Sequence, residues 1–497
     1  MNRRHFLSLS QGTMLAAGLL AGGLSSRMLG SGTAAAAGGS SESQEMKIAD
    51  LALGVKLETL PGDVVSAAKR VLLDTLGCAF GAVGSEPAAI AEGTIRKTYG
   101  DGQAGTIIGY PAPATVEGAM FVNGVLVRAL DLNDTYIGTD PLHPSEVLPT
   151  ALALVEEAGG SGRDLIEAIV AGYEVSTRVN DAISFMERGF HPLCAGSYGV
   201  PAIAGKVWGM RREAVAHAVG ISGARGFTSF VVNSGAISMM KAMGMAATAV
   251  DGVFAARLAA QGFTGPADTL AWMAKRMKPE KPDLVLDMEP ARYRLPRVAF
   301  KRFPIQIELQ AVAEIGAVLS PKIKGGAGAI RAINVGTYPG VISRVADPEK
   351  FQPRTKGTAD HSLPVCLALA LLDGDVTISQ FEKNRWQAED VIALVGKTKV
   401  TPSEALMAKL PKGRGATVEV VLTDGSTLRE TVEVAEGDAD RPLSRESLER
   451  KFMTFALPVI GEQGARRIVG LVDSLESLRN VRELTAALRG PGRQNSI

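Results

Sequence analysis

Three segments rich in Ala, Gly and Val follow one another at 195–208, 212–221 and 238–262, each at helical spacing. Side chains this small let helix backbones approach closely, so the succession predicts a helical domain rather than a sheet. Upstream, Val64, Val65, Ala68, Val71, Leu72 and Leu76 recur at three and four residues, with Lys69, Arg70 and Asp74 between them. Segments 88–99 and 115–130 read as further helices. Leu148, Leu152 and Val155 form one face of another, with Ser145 as its N-cap, Pro149 in its first turn and Gly159-Gly160 at its end. Ser161 and Asp164 then make a capping-box pattern before Leu165, Ile166, Ile169 and Val170.

The pattern changes near Pro282. Segments 330–338 and 417–433 are rich in Val, Thr and Ile, and Thr423-Asp424-Gly425-Ser426 between alternating residues signals a hairpin turn. Segments 363–372 and 388–395 read as helices, so 290–436 is an α/β insert. Helical periodicity returns over 444–488, which predicts that the C-terminus packs back on the first domain. The fold class is therefore mainly α with an inserted α/β part, and 497 residues suffice for two or three domains.

The N-terminus reads as a targeting segment. Arg3-Arg4 precede Phe6-Leu7, a mildly apolar stretch follows, and the small residues 33–37 offer cleavage sites. This is the pattern of a Tat-type signal over 1–37, followed by a linker at 38–45, and it predicts a periplasmic or secreted protein. Cleavage after Ala37 would remove Arg3, Arg4 and Arg27 and no acid. No later run reads as a membrane span. Lys and Arg number 53 against 52 Asp and Glu, so no basic field points to nucleic acid. Cys78, Cys194 and Cys366 show no CxxC spacing and no neighbouring His cluster, which argues against zinc or a disulfide framework.

Chemistry concentrates between Arg128 and Pro149. Asp131, Asp134, Asp140, Thr135, Thr139 and His143 fall there, and Gly138, Pro141 and Pro144 break regular structure through the middle. An ordered loop between two buried helices is expected, presenting acid–base groups on a rigid scaffold or serving simply as a solvated capping loop. A calcium loop is excluded, because the sixth and twelfth positions from Asp131 are Tyr136 and Leu142 rather than Gly and Glu.

These motifs together resemble the MmgE/PrpD family, which includes 2-methylcitrate dehydratases and cis-aconitate decarboxylases. The resemblance rests on Leu72-Leu73-Asp74-Thr75-Leu76-Gly77, Ala129-Leu130-Asp131 through Asp134-Thr135, and His143-Pro144-Ser145. It continues in Ala171-Gly172-Tyr173-Glu174-Val175, Gly189-Phe190-His191-Pro192, Gly262-Phe263-Thr264-Gly265-Pro266, Lys301-Arg302-Phe303-Pro304 and Ser362-Leu363-Pro364. It implies a helical domain made from 46–289 and 437–490, a smaller lid at 290–436 and a homodimer. It also implies a site free of metal and cofactor, acting on small polycarboxylates. Family site residues transfer onto Asp131, Thr135, His143, Lys241 and Lys301. The loop from Thr135 to His143 is longer than usual, and Gln306 and Gly244 stand where the family commonly has histidines.

A polycarboxylate requires clustered cations, for which Lys241, Lys301 and Arg302 are candidates. His143 is the first choice for proton transfer, with Asp131 and Thr135 orienting it or binding substrate. Gln306 cannot titrate and is assigned to substrate binding. His191 reads equally as a residue supporting the site or as a turn histidine, His217 as structural, and His361 as the cap of an insert helix. The expected activity is a dehydrating or decarboxylating lyase. An isomerase or epimerase using the same proton abstraction, or a silent exported binding protein, are the alternatives.

Overall fold

The computed structural model describes residues 42–234, 237–280, 284–409 and 414–491. The Tat-type signal expected over 1–37 and residues 38–41 of the expected linker lie outside them. The linker is shorter than expected, because a helix already begins at Gln44 (Gln44–Gly54), with the Ser43 side chain accepting from Met46 N. Its Glu45 is buried and accepts from Asp268 N and Thr269 N, which fixes this end of the chain to a distant segment.

The helical segments form largely where their spacing places them: Gly62–Gly81, Glu86–Tyr99, Val116–Arg128, Leu148–Ala158, Gly162–Ala182, Gly196–Val207, Arg212–Arg225 and Met240–Ala260. The Ser161–Asp164 capping box is formed, and Gly159 ends the preceding helix in the left-handed conformation. Ser145 is not a helix cap. Residues Pro144–Val147 make a 3-10 turn first, and Ser145 Oγ instead accepts from Asn133. Close helix approach depends on glycine: a Cβ at Gly199 would lie 2.2 Å from Ser176 Oγ, and one at Gly252 2.6 Å from Val200.

Helix Met240–Ala260 is long and apolar enough to cross a membrane by length and composition, which the sequence reading had not expected of any segment after the signal. Here it packs against Val116–Arg128, Gly196–Val207 and Arg212–Arg225, and most of its apolar stretch is buried. The C-terminal helix Arg445–Asp473, kinked at Gly461, lies along Gly62–Gly81, with Phe452 edge-on to Phe80 at 6.1 Å.

A second apolar core starts at Phe303 and runs to Val420. Its boundary differs from the expected 290, since Leu295, Val298 and Phe300 belong to the first core. Strands β1 (Tyr136–Ile137) and β2 (Pro141–Leu142) form a minimal antiparallel ladder in the polar loop. In the second core, β3 (Ile330–Thr337), β4 (Thr398–Pro402), β5 (Ala416–Leu422) and β6 (Thr427–Val432) form one sheet in the order β4-β3-β5-β6. β3 runs parallel to β4 and antiparallel to β5, so that Val335 faces Val400 on one side and Val418 on the other. Helix Gln310–Leu319 covers the sheet and is itself covered by Leu363–Asp373. Residues of the helical part and of the insert together line one cavity.

Candidate active site

The polar loop leaves helix Val116–Arg128 through a tight turn in which Asp131 adopts φ +51°, a left-handed conformation uncommon for a residue with a side chain. Thr135 then pairs with Ala299 through both backbone groups, at 2.9 and 2.8 Å, which ties the loop to the segment entering Lys301. The ladder β1–β2 returns the chain to His143, so the prolines and Gly138 do not abolish pairing here. They confine it to two residues a side.

Asp131 is the centre of a buried charge cluster. Arg128 Nη1 donates to its Oδ1, Lys301 Nζ stands 3.3 Å from the same oxygen, and Lys241 Nζ and His361 Nε2 face Oδ2 at 3.7 and 3.4 Å. Lys301, fully buried, also donates to the Asp131 carbonyl at 2.7 Å. Arg128 holds Glu146 at 2.9 Å through Nε. Burial would raise the Asp131 carboxyl, but Arg128, Lys241, Lys301 and His361 together hold it well below the usual range. Burial, followed by the field of Arg128, pushes both lysines down, Lys241 to about 8.

His143 Nδ1 lies 2.6 Å from the Asp134 carbonyl and 3.2 Å from Thr135 Oγ1. A carbonyl only accepts, so Nδ1 carries the proton and the lone pair is left on Nε2. Burial and the nearby Arg128 and Lys301 keep this ring neutral to far below its ordinary pKa. His361 has the same tautomer for a different reason. Its Nδ1 meets Asp360 Oδ1 at 2.5 Å, and its Nε2 accepts from Lys241. A chain Asp360–His361–Lys241–Asp131 therefore runs along one wall.

Asp131, His143, Lys241, Lys301, Gln306 and His191 all line one cavity of about 270 Å³, and Arg128, Lys350 and His361 join them. His191 does so with both ring nitrogens engaged, Nδ1 accepting from Leu193 N at 3.1 Å and Nε2 3.0 Å from the Asn233 amide. Burial drives its pKa to about 3, so it is a neutral wall residue. Gln306 reaches the wall but is paired with Glu308, accepting from its N–H at 2.6 Å and donating to its carboxylate at 3.1 Å.

Other assignments move. Thr135 is fully buried behind His143 and is not part of the cavity wall. Arg302 points elsewhere: it pairs with Glu436 at 3.0 Å over the Phe303 ring, in a separate surface cleft. Asp134 and Asp140 are structural, the first accepting from Ser145 N and Tyr173 OH, the second from Ser184 Oγ and Phe185 N. Burial raises Asp134 to about 7. Gly244 packs on Leu193, where an added Cβ would come within 2.8 Å of Cδ2. His361 caps nothing, because Ser362 takes that role and accepts from Val365 N. Arg128, Glu146, Lys350 and Asp360 join the site without being marked by the motifs. The signal available for them was weak: a charged residue one turn before Asp131, and an acid beside His361. Among the described residues no group of three His, Cys, Asp or Glu side chains has the arrangement of a metal site.

Known proteins align along most of the chain. Cis-aconitate decarboxylase of Homo sapiens is 29% identical over 463 residues, covering 88% of this chain and 93% of that protein. Cis-aconitate decarboxylase of Aspergillus terreus is 26% identical over 499 residues, covering 90% and 96%. The 2-methylcitrate dehydratase of Escherichia coli strain K12 is 24% identical over 391 residues, covering 73% and 79%. Residues 46–275 match the MmgE/PrpD N-terminal domain and residues 303–477 the MmgE/PrpD C-terminal domain, so the chain belongs to the MmgE/PrpD family.

Proposed function

We propose that this protein is a lyase that acts on a small di- or tricarboxylate, by proton abstraction and elimination or by decarboxylation. The observation that carries the reading is the convergence of Arg128, Lys241, Lys301 and His361 on Asp131, in the same cavity as a neutral His143. The names of the relatives, decarboxylases and dehydratases of such acids, support it.

In this reading the lysines bind a carboxylate and stabilise negative charge that develops on the carbon next to it. For elimination, His143 Nε2 takes a proton from that carbon. The C–H electron pair becomes the new double bond as hydroxide leaves the neighbouring carbon, and Lys241 protonates it to water. For decarboxylation, the bond to one carboxylate breaks, CO₂ leaves, and the electron pair is held on a carbon conjugated to a remaining carboxylate. Lys241 then delivers the proton that completes the product. Asp360 and His361 orient Lys241 for either step. No metal or cofactor takes part in this scheme. The mature protein works as a homodimer in the periplasm or outside the cell.

Incubating purified protein with citrate, 2-methylcitrate and cis-aconitate, followed by product analysis, tests the reading. A new unsaturated acid accompanied by loss of water or CO₂ is expected; recovery of every acid unchanged would contradict it.

A further inference from the structure

Lys350 is a cation of the cavity wall whose ammonium has no hydrogen-bonded partner among the described residues, only an ion pair at 3.7 Å. It sits in the 3-10 turn Pro348–Phe351, is only 4% exposed, and lines the same cavity as His143 and Lys241. A lysine is rarely buried to this degree unless an anion meets it. Among the described residues its one ion pair is Asp347 Oδ2 at 3.7 Å, too long for a hydrogen bond. Asp347 divides its carboxylate, Oδ1 capping the turn by accepting from Glu349 N at 3.0 Å and Oδ2 facing Lys350.

The other cations on the wall are differently placed. Arg128 has Asp131 and Glu146, Lys241 and Lys301 have Asp131, and Arg344 is held by Glu308. Lys350 is the one whose charge the fold leaves for something else. Its backbone is also fixed. Ser362 Oγ donates to the Lys350 carbonyl at 2.5 Å, and Ser362 directly follows His361, whose ring touches Lys241. The ammonium is thus built into the frame that carries the proposed proton donor.

We infer that Lys350 binds a second carboxylate of the substrate, one that does not react, and so selects acids with at least two carboxylates. The inference rests on the polycarboxylate reading and deepens it. A second carboxylate supplies an anion at hydrogen-bond distance, which Asp347 at 3.7 Å does not, and fixes the distance between the anchored and the reacting ends.

Calorimetric titration of the full chain with tricarballylate, an unreactive tricarboxylate, tests this alongside thermal unfolding. Lys350→Met should weaken binding by roughly ten- to a hundredfold, the range for one charge-assisted contact. The Tm of the ligand-free variant should stay level, since the ammonium's one ion pair, at 3.7 Å, is too long for a hydrogen bond. Lys350→Gln is read in its place if the Met variant does not fold. Unchanged affinity overturns the assignment, and a lowered Tm with unchanged affinity shows Lys350 to be structural. If the unsubstituted protein does not bind tricarballylate, the polycarboxylate reading itself fails and this inference falls with it.

Discussion

His143 and Lys241 line one cavity with opposite protonation habits. The ring of His143 is held neutral by burial and by Arg128, while Lys241, pushed to about 8, is protonated at neutral pH and gives up its proton readily. The expected pH profile of kcat/KM follows. A base that must be neutral fails only below its own lowered pKa, so no acid limb should appear between pH 6 and 7. An acid that must be protonated fails above its pKa, so activity should fall as pH rises through about 8. A bell centred below pH 7 would contradict these roles. His143→Ala should lower turnover by roughly two to four orders of magnitude, the usual range for general acid–base catalysis. Gln306→Ala should mainly raise KM, because a carboxamide paired with Glu308 orients without titrating. Steady-state kinetics on the two variants separates them; near-normal turnover in His143→Ala with loss in Gln306→Ala would reverse the assignment.

At the scale of elements, most helices were legible because their apolar spacing and caps agree with their burial. The Ser161 capping box and the Asp424-Gly425 turn are local signals that nothing downstream overrides. Strand β4 was not legible. Its half-exposed Thr-Lys-Val-Thr-Pro run carries no apolar alternation, and it exists because β3 offers it a parallel edge. The insert begins later than the composition suggests, since Leu295, Val298 and Phe300 pack into the first core. For the site, Asp131, His143, Lys241 and Lys301 could be named from motifs, whereas Arg302 could not be separated from Lys301 beside it. Adjacent residues in an extended segment point to opposite sides, and only Lys301 turns inward. His361 was misassigned because Ser362, one residue on, is the better cap. The packing of helix Arg445–Asp473 on Gly62–Gly81 gives an element-scale test. Phe452→Ala should destabilise the protein by about 3–5 kcal/mol in urea unfolding, since its ring is fully buried against Phe80. A loss below about 1 kcal/mol, the scale of a surface change, would contradict that packing.

For the whole molecule, the proposed homodimer predicts that light scattering gives twice the mass of the mature chain. The proposed export depends on Arg3 and Arg4, so the double variant Arg3→Lys, Arg4→Lys should accumulate inside the cell in a fractionation experiment. Prolonged dialysis against a strong chelator should leave the rate intact; a loss restored by one divalent ion would overturn the metal-free scheme. The central claim is that the cavity breaks a bond in a polycarboxylate, with His143 as the base when the reaction is an elimination. Proton NMR of the unsubstituted protein and His143→Ala with citrate, 2-methylcitrate and cis-aconitate in D₂O tests it most directly. We predict that the unsubstituted protein forms an unsaturated product by loss of water, nearly absent with His143→Ala, or a decarboxylated one carrying deuterium delivered by Lys241. Deuterium entering the acids without any product would instead mark an isomerase, and no exchange with any of them would mark a binding protein.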